Sequence, residues 1–552
     1  MAIQLFKPTL LTFCSISLLL SSDTSEDRAL SAIRPEAIRA HMRFLADDLL
    51  EGRGTGTRGY ELAAKYIAAE LEALGLEPCG INGTYFQPIR FRSVLGIPEK
   101  TTLEITRAGT QESLVYGQDF IATGDSQKTV SSLTAPLVYV GYGITAPDFG
   151  LDDYAGIDAS GKIVVYLAGA PAKLPATVKT HLSTILNKRI TAKAHGAVGM
   201  IRAWSAQAEQ LMSFRATEKQ YRRPVMSWLA PDGTPSDQRD TVRVIAFLSE
   251  AGSQKLFTGS PSSLADLQKA IVDGTSKPVA LPVSIASSTT SRHSETSSSN
   301  VCAVLRGSDA ELRNEFVVYS SHADHLGIGE PVQGDSIYNG ALDNASGTAG
   351  LLEIARAFTT LTERPKRSVI FLAVTAEEQG LLGSDYFAIN PTVPRRQIVA
   401  NINIDGMNLA FDFRDAIVLG AEHSSLGKVA ERAAARMNLQ LSPDPAPAQN
   451  MFARSDQYSF VRHGVPAIYP LGGMKPVDPK VNVMKLGMQL QARYHLPNDD
   501  MSFPFNFDAG AKNAKFDFLL GYFIAQEEAR PRWNEGDFFE KLSQHERAVL
   551  IP

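Results

Sequence analysis

An α/β fold with a mixed, mostly parallel sheet flanked by helices is predicted for this chain, and three observations predict it. Phe316–Ser320 and Ser368–Val374 are short apolar runs rich in β-branched or aromatic residues, which read as buried strands. Between them Ala349, Leu351, Leu352, Ile354, Ala355 and Phe358 recur at helical spacing behind Ser346, a candidate N-cap. Each strand then releases acidic or imidazole residues just past its carboxyl end, where open α/β sheets bind ligands.

Before this core, Leu10–Leu20 is an apolar run with Lys7 as the only early charge. It is too short to span a bilayer and reads as a secretory signal peptide over residues 1–22, with a membrane anchor as the rival. Export to the periplasm or the extracellular space is therefore expected, without stable membrane insertion. Removing that segment leaves Cys79 and Cys302, which permit one disulfide or two free buried thiols.

Residues 32–131 are expected to form the first part of the main domain. Gly59–Leu74 carries apolar residues at spacings of three and four and predicts a helix. The glycine-rich Leu50–Thr57 has no strand ahead of it, so it reads as a loop entering that helix and not as a phosphate cradle. Over residues 132–285 short strands such as Leu137–Val140 and Lys162–Leu167 alternate with turns and a helix near 186–197. There His195 reads as a local polar contact, and Trp204 and Trp228 as core or rim. The Ser/Thr-rich residues 286–300 read as a polar linker, residues 301–530 as the catalytic domain and 531–552 as a tail.

A chain of 552 residues with 44% hydrophobic composition supports more than one packed domain. A net charge of −5 without a basic patch excludes nucleic acid as an expected partner. Oligomeric state is open.

The chemistry is concentrated in five groups placed at strand ends: His322, Asp343, Glu378, Asp405 and His495. Two imidazoles and three carboxylates without cysteine suit catalytic zinc, since structural zinc usually takes thiolates and closes its shell. Five ligands exceed one open tetrahedral ion and suit two ions that share a carboxylate and hold one hydroxide between them.

In order, the chain has His322-Ala-Asp324, Asp343-Asn-Ala-Ser-Gly347, Glu377-Glu378, Asn403-Ile-Asp-Gly-Met407 and Tyr494-His-Leu-Pro-Asn-Asp499. This series resembles the co-catalytic zinc aminopeptidases related to bacterial leucyl aminopeptidase and glutamate carboxypeptidase, over roughly Ser298–Ala529. The resemblance implies two zinc ions, with Asp343 bridging, Glu378 and His495 completing one site, and His322 and Asp405 the other. It implies Glu377 as general base, Asp324 as the carboxylate that accepts the second ring N–H of His322, and a cis peptide after Asp343. It further implies hydrolysis of N-terminal residues from peptides with a free N-terminus.

Residues 132–285 resemble a protease-associated domain of α+β type through Gly141-Tyr-Gly143, Asp153-Tyr154, Gly161-Lys-Ile-Val164 and Ala194–Gly199. That insertion either overhangs the site as a lid or serves packing. Gln457 stands where the family commonly has histidine, and the adjacent Asp456 either orients active-site groups or caps a turn. His325 reads as a structural or hydrogen-bonding histidine. Arg454 and Arg493 leave a carboxypeptidase or dipeptidase open as the alternative, and a non-catalytic receptor-like protein is the rival from another class.

Overall fold

The computed structural model describes residues 24–205, 208–209, 213–239 and 241–549. The expected signal peptide, residues 1–22, lies outside them.

The main unit has three layers, a sheet between two sets of helices. At the centre of its sheet Ser368–Val374, Phe316–His322, Ile398–Asn403 and Ala467–Gly472 lie side by side, all parallel. Antiparallel strands close the two sides, Val301–Leu305 against Val369–Ala373 and Asp415–Leu419 against Tyr469–Gly472. The alternation of side chains along a strand sorts the apolar residues between the layers. Val317, Tyr319, Val369, Phe371 and Ala373 pack with helices Arg58–Ala73, Gly347–Thr359 and Phe507–Gln526. Phe316, Val318, Ile370, Leu372 and Val374 face Phe387, Phe460, Val461 and Phe539 on the opposite side. Strands buried on both faces explain why these segments read as continuous apolar runs.

The expected helix at 59–74 is Arg58–Ala73, capped by Thr57, whose side chain accepts from the Tyr60 N–H. The expected tail is partly structured: Phe538–Val549 is a helix, and Phe539 is fully buried in the core. Its apolar residues Phe538, Phe539 and, three to four positions on, Leu542 dock as one stripe.

A second sheet stands beside the first. Its parallel run Val130–Tyr139, Ile163–Leu167, Gly199–Ala203 and Val244–Leu248 has its own apolar clusters on both faces. Thr102–Arg107, Thr110–Ser113 and Phe120–Ile121 also join it, so this unit begins earlier than the expected boundary at 132. Trp204 and Trp228 are buried in core positions, and His195 stacks on Tyr154 at 4.0 Å.

The Ser/Thr-rich segment 286–300 is not a solvated linker. It belongs to one strand, Val279–Leu305, that runs through both sheets. It pairs with Val130–Tyr139 and Thr102–Arg107 in the second sheet, then with Phe86–Gly96 and Val369–Ala373 in the first. Strands flank it on both edges from Ser284 to Ser288, and Phe86–Gly96 pairs along it from Ser291 to Asn300, so its backbone is held, and β-branched threonines suit that setting. Cys79 and Cys302 are both free thiols, buried beside Thr392.

Candidate metal centre

Parallel pairing brings the strand ends to one edge. With His322 in register with Val374, and Ser320 with Asn403, residues a few positions beyond each end fall into the same crevice. His322 closes its own strand, Glu377 and Glu378 follow Val374, and Asp405 follows Asn403. Asp343 comes from the helical turn Ala341–Ser346, and His495 from a loop, with a left-handed φ of 59°.

Asp343 stands between two sets of groups. Its Oδ1 is 3.1 Å from His322 Nε2, which is also 3.2 Å from Asp405 Oδ1. Its Oδ2 is 3.2 Å from His495 Nε2, which is also 3.2 Å from Glu378 Oε2. The two carboxylate oxygens thus serve two separate clusters, and all five predicted ligands converge. A third imidazole joins them. His325 Nδ1 lies 2.7 Å from Glu378 Oε1, so His325, Asp343 and Glu378 form a second group able to hold a cation.

The donor set fits divalent ions. His322 Nδ1 is 3.1 Å from the main-chain oxygen of Asp324, which fixes Nδ1 as the donor and turns Nε2 toward two carboxylates. That crowding requires protons or cations between the groups. Burial disfavours a charged His322, yet Glu377, Asp405 and Asp343 raise its pKa well above the usual histidine value. Burial likewise opposes His495, whose bonds to Asp343 and Glu378 raise it to about 10. A cation bound between an imidazole and these carboxylates would stand where a proton otherwise does, as ligand deprotonation on metal binding requires. His325 Nε2 is buried without a hydrogen-bond partner, and His325 Nδ1 and Glu378 Oε1, likewise buried, have only each other, at 2.7 Å.

Neighbouring groups hold the carboxylates. Ser455 Oγ donates to Asp405 Oδ2 at 2.5 Å. Asp499 accepts the main-chain N–H groups of Leu342 and Asp343, each at 3.0 Å, and so fixes the turn that carries Asp343. The peptide between Asp343 and Asn344 is cis. Asn344 Nδ2 donates to the Ile404 and His322 carbonyls, and its Oδ1 accepts from Gly347 and Gly406 N–H, tying two strand ends to the start of helix Gly347–Thr359. Gly347 must be small there, since an added Cβ would lie 2.2 Å from Asn344 Oδ1.

The peptidase family M28 model matches residues 300–516, the segment that supplies all five converging groups. Those residues form a peptidase family M28 domain. Mouse aminopeptidase NAALADL1 is 40% identical over 113 residues, which is 20% of this chain and 13% of that protein. A probable zinc metalloprotease of Pyricularia oryzae is 37% identical over 109 residues, covering 20% of each chain. The chain thus spans only 13% and 20% of the length of these two relatives. The aminopeptidase from Aneurinibacillus sp. strain AM-1 aligns over 92% of this chain and 100% of its own, at 20% identity and a TM-score of 0.49.

Within and around the M28 domain, two expectations change, those for Asp324 and Ser346. The Asp324 carboxylate is 4.0 Å from His322 Nδ1, and the Asp324 main-chain oxygen, at 3.1 Å, takes its place beside the ring. The carboxylate turns instead to the Glu377 N–H at 3.1 Å and the Glu378 N–H at 3.4 Å, with Thr55 Oγ1 donating from the N-terminal segment. It therefore positions the two glutamates. Ser346 makes no capping bond to the helix it precedes; its Oγ donates to the Leu342 carbonyl. Gln457 does not line the cleft. It is buried, accepting from Asn403 Nδ2 and donating to the Phe452 carbonyl. Asp456 precedes helix Gln457–Arg462 without capping it, and burial beside Asp405 and Asp324 pushes its carboxyl up to about 7 against the His322 charge.

A cleft of about 620 Å³ opens over the site. Asp343, Glu377 and Asp405 form its floor, and Met451, Arg454, Tyr469 and Tyr494 are among its walls. Burial and the carboxylates of Asp405 and Glu378 raise the Glu377 pKa well above the usual glutamate value, despite the opposing charge of His322. Sequence reading missed Asn344, Asp499, Ser455 and the fully buried Arg53, whose guanidinium donates to the carbonyls of Ala323, Asn339 and Gly340. For Asp499 the signal was present, an acidic residue four positions after His495.

Proposed function

We propose that this chain is a two-zinc exopeptidase that removes N-terminal residues from peptides. The observation that carries the reading is Asp343, with one carboxylate oxygen at each of two histidine-carboxylate clusters. His322, Asp405 and Asp343 would hold one ion, and Glu378, His495 and Asp343 the other. Bound there, zinc supplies Lewis acidity toward the scissile carbonyl and lowers the pKa of water toward neutrality.

The remaining work falls to the chain's own side chains. Glu377 lines the cleft and, among the described residues, has no ion pair with either histidine of the two clusters, which leaves its carboxylate placed to act as general base. It accepts the proton of the attacking water at a carboxylate oxygen and returns it to the departing amine. Asp324 holds the main-chain N–H groups of Glu377 and Glu378, which keeps the base and the ligand in fixed relation.

Arg454 in the cleft wall favours a second reading, a carboxypeptidase or dipeptidase that grips a substrate carboxylate. A receptor-like role is disfavoured because Glu377 and all five ligands are present. The second sheet, read as a protease-associated module, and export directed by Leu10–Leu20 complete the proposal. The test is turnover of aminoacyl-4-nitroanilides against N-blocked dipeptides, with zinc content measured on the same sample. Cleavage of blocked substrates alone would reject the aminopeptidase reading, and a metal-free preparation of full activity would reject the zinc.

A further inference from the structure

The unit built on the second sheet does not roof the site. Among the described residues, all those lining the cleft lie between 342 and 494, and none comes from the second sheet or its helices. The unit instead seats helix Ala176–Ser183 behind the cleft wall. Gln449, Met451, Arg454 and Ser455 of that wall face the cleft. Asn450, between two of them, has a left-handed φ of 56°, and Thr180 Oγ1 donates to its side-chain oxygen at 2.8 Å. Beyond the wall, in the buried helix Gln457–Arg462, Tyr458 OH is 2.9 Å from His181 Nδ1 and accepts from Asn187 Nδ2 at 3.3 Å. His181 packs edge-on against Tyr458, Phe538 and Phe539, so this contact is buried and wedged between the two units. The same wall reaches the predicted ligands through Ser455 and Asp405.

We infer that the second-sheet unit sets substrate affinity from behind, by clamping residues 450–458 through Thr180–Asn450 and His181–Tyr458. Thr180 and His181 are positioning residues. They touch neither substrate nor metal, and they fix the backbone that presents Met451 and Arg454 to the cleft. The bond to Asn450 holds a turn whose two flanking side chains both form the wall, so its loss loosens the substrate-binding surface while leaving the metal ligands on their strand ends. The inference rests on the peptidase reading for what the cleft binds, and not for the clamp itself.

Breaking one bond from both sides tests it. Thr180→Val removes the donor and keeps the shape, while Asn450→Gly removes the acceptor and tolerates the left-handed backbone. Each variant is expected to raise KM for an aminoacyl-4-nitroanilide about tenfold with kcat within about twofold, the pattern of lost uniform binding. Zinc content should match wild type, the double variant should be no worse than either single one, and Thr180→Ser should restore KM. Amide hydrogen exchange across 447–457 should accelerate in Thr180→Val and not in Thr180→Ser. An unmoved KM, unmoved exchange, or parallel loss of kcat and zinc would each overturn the clamp. If wild type cleaves no peptide, the peptidase reading fails alone, and the exchange measurement still decides this one.

Discussion

Replacing Glu377 by Gln separates proton transfer from metal binding. The side chain lines the cleft, and neither histidine of the two clusters is paired with it, whereas Glu378 beside it is paired with His495 and His325. Gln fills the same volume, and the Glu377 main-chain N–H still reaches Asp324 Oδ1 at 3.1 Å, so the local backbone has no reason to move. What disappears is a carboxylate with a pKa raised by burial and by Asp405 and Glu378. General acid–base catalysis contributes about 10²–10⁴-fold, or roughly 3–5 kcal/mol of barrier. Turnover of an aminoacyl-4-nitroanilide should therefore fall by about that factor with KM near wild type. Zinc measured on the same sample should stay at the wild-type ratio. A variant within tenfold of wild-type turnover would show that Glu377 is not the base. One that loses zinc would show it to be a ligand.

Other perturbations read the same site and its surroundings. Asp343→Asn removes charge from the one residue shared by both clusters, so bound zinc should fall below one ion per chain by elemental analysis. Chelation should abolish activity and added zinc should return it. Ser455→Ala removes the donor to Asp405 Oδ2 and should weaken zinc binding about 10- to 100-fold by competition with a chromogenic chelator, with unchanged far-UV dichroism. His423 is a pH probe away from the metals. Burial opposes its charge, but Asp537 at 2.8 Å and Glu422 raise it to about 9 from an ordinary value of 6.5. A raised histidine stabilises the fold fully below about pH 6.5 and loses that contribution as pH rises through about 9, here roughly 3 kcal/mol. The thermal midpoint should fall over that window in wild type, and His423→Gln should flatten the fall.

The ligands were legible in the sequence for a geometric reason. In a parallel sheet the register fixes where the strand ends lie, so His322, Glu378 and Asp405 share a crevice once three apolar runs are recognised as neighbours. What holds those ligands was not legible, because the holding groups act across long separations and largely on main-chain atoms. Asn344 binds the carbonyls of His322 and Ile404, Asp499 binds the N–H groups of Leu342 and Asp343, and Arg53 binds three carbonyls from 323 to 340. Main-chain partners carry no residue-type signal, so no pattern marks them. Asp324 illustrates the limit, since its place beside His322 in the sequence suggested a ring contact. The strand geometry turns its carboxylate away to the next strand's exit.

The Ser/Thr-rich strand went unread for a related reason. Composition reports on side chains, whereas pairing satisfies the backbone, and a strand paired along its length can be polar and still ordered. Ser287, Thr289 and Ser291 are buried while Ser288 and Thr290 between them are half-buried, an alternation that hydroxyls blur because they tolerate both settings. This strand ties the two sheets into one mechanical piece. It gives the second-sheet unit a fixed frame from which helix Ala176–Ser183 can press on residues 450–458. A solvated linker would leave that helix to find the wall by its own contacts alone. A continuous hydrogen-bonded strand lowers the entropic cost of keeping it there, which is why the clamp depends on the residues that composition assigned to a tether.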